Sequence, residues 1–386
     1  MSSNSAQGDG AFPAGCEAAP EREIVRTAMA LGGGKTPYRA DSLLSLRGLA
    51  AFFVVCGHLQ VGPVVAAVTG ISVVAAFAVS GSYAVFIFFC ISGYLMAKIL
   101  DRDYGPGSLA RFYWNRATRI LPVYYLSVLL TAAMLPHAVS LRDWPALLLI
   151  NNYFSSPLAN APLWSLATEC QFYLVAPIVA LATRRWRATP LLLLATGLGI
   201  KFFYWFGFDL LPERKDLVYM GLEANVMYFM TGWCAYLYRE RLPALQPMAG
   251  IALLCAILAA LWLFHFYNIE NTPAGLYASF LWMVVFPLIM CVAAIIVLPG
   301  VDDGGLALQR MRPPLAAAFY FLGVTSYSAY VLHTPMYGVL SRLPALLVVV
   351  AVYVLAVVVF LAFEKPLFRL RAFPQARAAS SAARRS

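Results

Sequence analysis

Apolar runs of about twenty residues alternate with short polar connections from residue 43 to residue 363. A helix rising 1.5 Å per residue needs about twenty apolar residues to cross the roughly 30 Å hydrocarbon core of a bilayer. Ten such runs lie near 43–62, 74–98, 118–136, 164–183, 189–207, 219–238, 248–267, 275–298, 316–340 and 344–363. They predict an all-α polytopic membrane protein, about ten transmembrane helices in one bundle. The apolar run 144–153 is too short to span and predicts a re-entrant or interfacial segment. Residues 1–40 are small, polar and charged, and predict a disordered tail. Residues 366–386 predict a second, basic tail, which leaves 41–365 as the membrane domain.

The connections are strongly asymmetric in charge. Arg22, Arg26, Lys35, Arg39, Lys98, Arg102, Arg111, Arg116, Arg119, Arg184, Arg185, Arg187, Arg239, Arg241, Arg310 and Arg312 fall on the side of the N-terminus. The other side holds only Arg142, Arg214, Lys215 and Arg342. Lys and Arg are retained in the cytoplasm, so this count predicts cytoplasmic termini at both ends.

Composition narrows the class further. Hydrophobic residues make up 61% of the 386 and charged residues 12%, with a mean hydropathy of +0.74. The net charge of +10 sits as punctuation between apolar runs, which is a topology pattern and no groove-tracking patch for nucleic acid. The seven cysteines form no CxxC pair and imply neither zinc nor a disulfide framework. GGGKT at 32–36 has Met29 where a phosphate-binding loop needs glycine, and no strand precedes it.

Against this apolar background a few ionisable residues stand out. In SLLSLRGLAAFFVVCGHLQVG (42–62), Arg47 and His58 are eleven residues apart. That is close to three helical turns, so both project from one face, roughly 16 Å apart along the axis. Counting along the helices places His58 some 20 Å or more from the inner end, Glu169 about 22 Å and His333 about 25 Å. Three helices therefore predict one polar layer. An ionisable group at such depth is costly unless it faces a partner or a wet cavity. A carboxylate beside an imidazole is a general-base arrangement, which makes His58, Glu169 and His333 candidate catalytic residues. The alternative for each is a hydrogen bond that merely holds helices together.

Arg116 and Arg119 in RFYWNRATRILPVYY share a face just before the third span. Paired guanidinium groups suit phosphate oxygens. The alternative is a topology anchor within an interfacial aromatic belt. Ser92 and Gly93 in FFCISGYL read as small residues that admit a neighbouring helix, with no base at fixed spacing to make Ser92 a nucleophile.

Taken together, SLRGLAAFFVVCGH, FFCISGYL, RFYWNRATRILPVYY, PLWSLATECQFY and YSAYVLHTP resemble the bacterial membrane acyltransferase family 3, the polysaccharide and antibiotic O-acyltransferases, over residues 38–365. The resemblance implies transfer of an acyl group, usually acetyl, from cytoplasmic acyl-CoA to a hydroxyl of a glycan or related cell-envelope acceptor. It assigns essential roles to Arg47 and His58, to the pair Arg116 and Arg119, and to Glu169. It implies a multi-pass protein of the bacterial inner membrane, with acyl-CoA as co-substrate and no metal. Arg47, Arg116 and Arg119 are the candidate donor-binding residues, holding phosphates while the thioester arm threads up to His58. A secondary transporter with midplane His and Glu groups is the rival class, but the inverted repeat common in transporters is not visible.

Overall fold

The computed structural model describes residues 42–59, 61, 81–102, 108–138, 140–154, 160, 162–206, 220–242, 245–246, 249–257, 260, 285–303 and 313–370. Its long helices are α1 (Ser42–His58), α2 (Gly81–Arg102), α3 (Ser108–Met134), α4 (Leu163–Arg185), α5 (Thr189–Phe206), α6 (Leu222–Leu237), α7 (Phe286–Asp303), α8 (Pro313–Leu340), α9 (Ala345–Val359) and the short α10 (Lys365–Leu370). No strand occurs among the described residues. Four helical stretches, Ala84–Asp101, Ser108–Met134, Leu163–Arg185 and Ala345–Leu367, are long and apolar enough to cross a membrane. Ser42–His58, Thr189–Tyr204 and Phe286–Asp302 are shorter apolar helices. The span expected near 248–267, the first half of that near 275–298, and the tails at 1–40 and 371–386 lie largely or wholly outside the described residues.

Two close helix crossings set the frame. α1 and α8 run parallel and touch at Gly48 and Gly323, where a Cβ on Gly48 would collide with the Gly323 backbone. α2 and α6 touch at Gly93 and Gly232, where a Cβ would collide with the Phe229 and Cys90 carbonyls. Backbones approach this closely only where side chains are absent. Each crossing sits beside a polar residue, Arg47 next to Gly48 and Ser92 next to Gly93, and so fixes where those side chains emerge.

Two elements depart from their sequence outlines. α3 begins at Ser108, ten residues before the apolar run, because RFYWNRATR is itself helical, with Phe112 buried and Arg116 over the Tyr173 ring of α4. The 144–153 segment folds against α3 and α4 as one turn of helix (Trp144–Leu147) followed by irregular backbone. Its carbonyls at Ala146, Leu147 and Leu149 accept from Tyr124, Tyr125 and Gln171 at 2.9, 3.0 and 2.8 Å. Tyr124 lies ten residues below Met134, roughly 15 Å along the helix. These side chains pair carbonyls that irregular backbone leaves without a regular hydrogen-bond ladder.

Candidate functional site

The polar residues fall into two layers rather than one. One layer is a pair of histidines. His58 closes α1 with its ring exposed, while His333 on α8 is fully buried. Gly48 to His58 and Gly323 to His333 are both steps of ten residues, so two parallel helices that meet at the glycines meet again at the histidines. His333 Nε2 lies 3.2 Å from His58 Nδ1 and the rings are 5.0 Å apart. His333 Nδ1 lies 2.7 Å from the Tyr330 carbonyl. A carbonyl only accepts, so His333 carries its proton on Nδ1 and offers the Nε2 lone pair to His58. His58 Nδ1 is then the donor, placed between that lone pair and the Val54 carbonyl at 3.1 Å. Its Nε2 is left unprotonated in the neutral ring, available to take a proton.

The other layer lies about three turns of α1 nearer its N-terminus. Arg47 Nη2 is 3.6 Å from Glu169 Oε1, both side chains nearly buried. The same carboxylate oxygen accepts from the hydroxyls of Ser92 and Tyr173. Arg116 packs over the Tyr173 ring at 5.7 Å, and Arg47 over Phe88 at 5.8 Å. Arg119 is close enough to Arg47, Arg116, Tyr173 and Glu364 to feel their charges. Glu364 is buried and accepts a 2.5 Å hydrogen bond from Ser328 of α8. It ends a π turn, Phe360–Glu364, between α9 and α10. One extra residue in that turn rotates Glu364 relative to α-helical register, and such bulges gather at functional sites. Three arginines against two carboxylates leave the layer with a net positive charge.

Glu169 therefore partners Arg47 and not His58, which corrects the single layer expected from the sequence. The reason lies at the start of α4. Asn160, just upstream, is buried and donates to the Val331 carbonyl at 2.9 Å, and Ser165 meets the Tyr330 hydroxyl at 2.6 Å. The first turn of α4 is thus already level with the residues before His333, and Glu169 lies about 9 Å below that start. His58 is also nearer the end of its helix than its position in the apolar run suggested, because α1 is Ser42–His58. Between the layers is a void of about 20 Å³, lined by Arg47, Phe88, Ser165, Glu169 and Tyr330 among others. That is room for about one water.

Sequence reasoning did not single out Tyr173, Ser165, Tyr330 or Glu364. Tyr173 was within reach, four residues after Glu169 and so on the same helical face. Glu364, followed by Lys365 at the end of an apolar run, reads like an interfacial charge until the π turn is seen.

A family model described as an acyltransferase domain matches residues 41–365. The chain belongs to that family. Among curated relatives, it is 25% identical over 379 residues to the peptidoglycan O-acetyltransferase OatA of Listeria monocytogenes, covering 84% of this chain and 55% of that protein. It is 27% identical over 322 residues to BcsY of Komagataeibacter xylinus, described as a candidate membrane-bound transacylase, covering 77% and 72%. It is 29% identical over 163 residues to the acyltransferase MdmB of Streptomyces mycarofaciens, covering 36% and 39%. The chain spans about half the length of the first of these relatives. No solved structure matches.

Proposed function

We propose that the chain is an O-acyltransferase of the bacterial inner membrane, moving an acyl group from cytoplasmic acyl-CoA to a hydroxyl of a glycan acceptor. The observation that carries this reading is the exposed His58 ring with its Nδ1 proton committed to His333 and Val54. Its free Nε2 takes the proton of the acceptor hydroxyl as that oxygen attacks the thioester carbonyl. The new C–O bond forms, the C–S bond breaks, and the proton passes from His58 to the departing thiolate. Membership in the acyltransferase family and the O-acetyltransferase relative support the chemistry.

Arg47 and Arg119, with Arg116 at their edge, attract the donor's phosphates from the positive, cytoplasmic side. The acceptor meets His58 at the opposite side. The roughly 16 Å between Arg47 and His58 is spanned by the thin thioester arm. The void between the layers is smaller than that arm, so the side chains lining it, Tyr330 and Phe88 among them, move when donor enters. The count of ten spans and the cytoplasmic termini belong to the same proposal and rest on the charge asymmetry of the connections.

The test is transfer by purified protein in liposomes supplied with acetyl-CoA and a glycan fragment. Thiol release that depends on acceptor and is abolished by His58→Gln supports the proposal. Absence of thiol release from wild-type protein with every acyl-CoA and acceptor supplied overturns it.

A further inference from the structure

A cavity of about 400 Å³ lies beside the polar layers, between α3, α4 and the 144–153 segment. This volume is in the range of small-ligand sites. Its walls are apolar, from Ala117 and Leu121 of α3, Leu174 of α4, and Leu148 and Ile150 of that segment. Leu148 and Leu174 on its rim are each 62% exposed. On helices that cross a membrane, an exposed leucine at this depth faces hydrocarbon, so the groove opens sideways into the bilayer.

Two further features make it more than a gap between helices. Leu149, in its wall, has φ 58°, a left-handed conformation that strains any residue with a branched side chain. The Gln171 amide holds the Leu149 carbonyl in place, and Gln171 is held in turn by Asn152 at 2.8 Å. Backbone strain maintained by dedicated side chains clusters at ligand sites. The other feature is charge. Arg116 lines one end of the groove, and Tyr113 beside it is tied to the Leu174 carbonyl at 2.9 Å. Among the described residues no carboxylate lies within ion-pair distance of Arg116, and its Nε is buried without a hydrogen-bond partner. An apolar trough with an uncompensated guanidinium at one end matches an amphiphile with an anionic head.

We infer that this groove binds an anionic phospholipid, one fatty chain lying between α3 and α4 and the phosphate on Arg116. The chain meets Ala117, Leu121 and Leu174, then ends against Leu148 and Ile150. A guanidinium has five N–H donors, so Arg116 can hold the lipid phosphate on one edge and keep the other for a phosphate shared with Arg47 and Arg119. Membrane residence alone underlies this site, and it stands whether or not the donor is acyl-CoA.

The probe is a photoactivatable phosphatidylglycerol, with its reactive group on the fatty chain, in phosphatidylcholine vesicles holding the full chain. Crosslinks are expected at 117–121, 148–150 and 174, well above those at Val354, a 60% exposed residue on α9. A diacylglycerol probe with the same reactive chain, which lacks the phosphate, should label the groove about tenfold less, the ratio given by one charge-assisted contact. Ala117→Trp, which fills the trough, and Leu148→Asp, which puts a charge at its far end, should each remove the enrichment. Equal labelling of the groove and Val354 in wild-type protein overturns the inference, whatever either variant does to folding. Equal labelling by the phosphatidylglycerol and diacylglycerol probes overturns the role of Arg116. Acyl-CoA binding, measured on the same samples, reports separately on the proposed activity.

Discussion

Arg47 and Glu169 form an ion pair of 3.6 Å between α1 and α4, and the contact ties the arginine layer to the only carboxylate on α4. Ser92 and Tyr173 complete the shell of that carboxylate. Breaking a buried pair from one side leaves a charge uncompensated and costs about 3–5 kcal/mol. Glu169→Gln should therefore lower the melting temperature as well as activity. Adding Arg47→Gln should restore much of the stability, because both charges are then gone, while transfer stays lost. Thermal unfolding beside transfer assays checks this. Full additivity of the two stability losses would show that the pair is not coupled.

Why the sequence led elsewhere for Glu169 is instructive. Counting residues from the end of an apolar run assumes that the run begins at the membrane surface. α4 instead begins level with the residues before His333, with Asn160 just upstream buried against α8, and no periodicity in the sequence records that. The all-helical class, the presence of several long apolar helices and the shortness of the 144–153 run were legible, because each follows from apolar length. The arginine cluster was legible in part, since Arg116 and Arg119 share a face, but its convergence with Arg47 depends on tertiary packing. The pairing of the histidines was encoded in plain sight. Gly48-to-His58 and Gly323-to-His333 have equal spacing, though only the contact of the two glycines shows that the helices are partners.

Glu364 offers a test of the π turn. Glu364→Ala removes a carboxylate near Arg119 and the acceptor of the Ser328 hydroxyl. Deleting Ala362 from the turn should act in the same way, because restoring α-helical register swings Glu364 by about 100°. Both changes should reduce transfer, and Glu364→Gln, which keeps the acceptor, should lose less stability than Glu364→Ala. A deletion variant with wild-type transfer would show that the turn positions nothing needed for chemistry.

The glycine crossings predict a graded loss. Gly93→Ala and Gly232→Ala both drive a methyl group into the facing helix backbone. Such overpacking costs typically 1–3 kcal/mol and pushes helices apart. Gly93→Ala should cost more activity than Gly232→Ala at similar stability, because Ser92 beside it contacts Glu169. Gly199, with nothing within 4 Å of an added Cβ, is the control, and Gly199→Ala should leave melting temperature and transfer near wild type. Equal behaviour of all three would mean that the crossings carry no strain.

The sharpest prediction concerns the two histidines. His58→Gln cannot take a proton and should lose on the order of 10²–10⁴ in transfer rate, the usual contribution of a general base. It should leave expression and acyl-CoA binding nearly unchanged, since only a transition-state role is removed. His333 acts through His58, as an acceptor that fixes which nitrogen is free. His333→Leu removes the acceptor and should cost roughly 10–100-fold, the scale seen when the outer partner of a functional histidine is lost. His333→Gln can offer a carbonyl oxygen to His58 Nδ1 and should recover part of that loss, mainly in kcat and not in KM. In the double variant His58→Gln/His333→Leu the second change should add little, because the residue it positions is already inert. Full multiplication of the two losses would show that His333 works independently of His58. Near wild-type transfer by His58→Gln would remove the imidazole from the chemistry altogether and leave the histidine pair as a contact between α1 and α8.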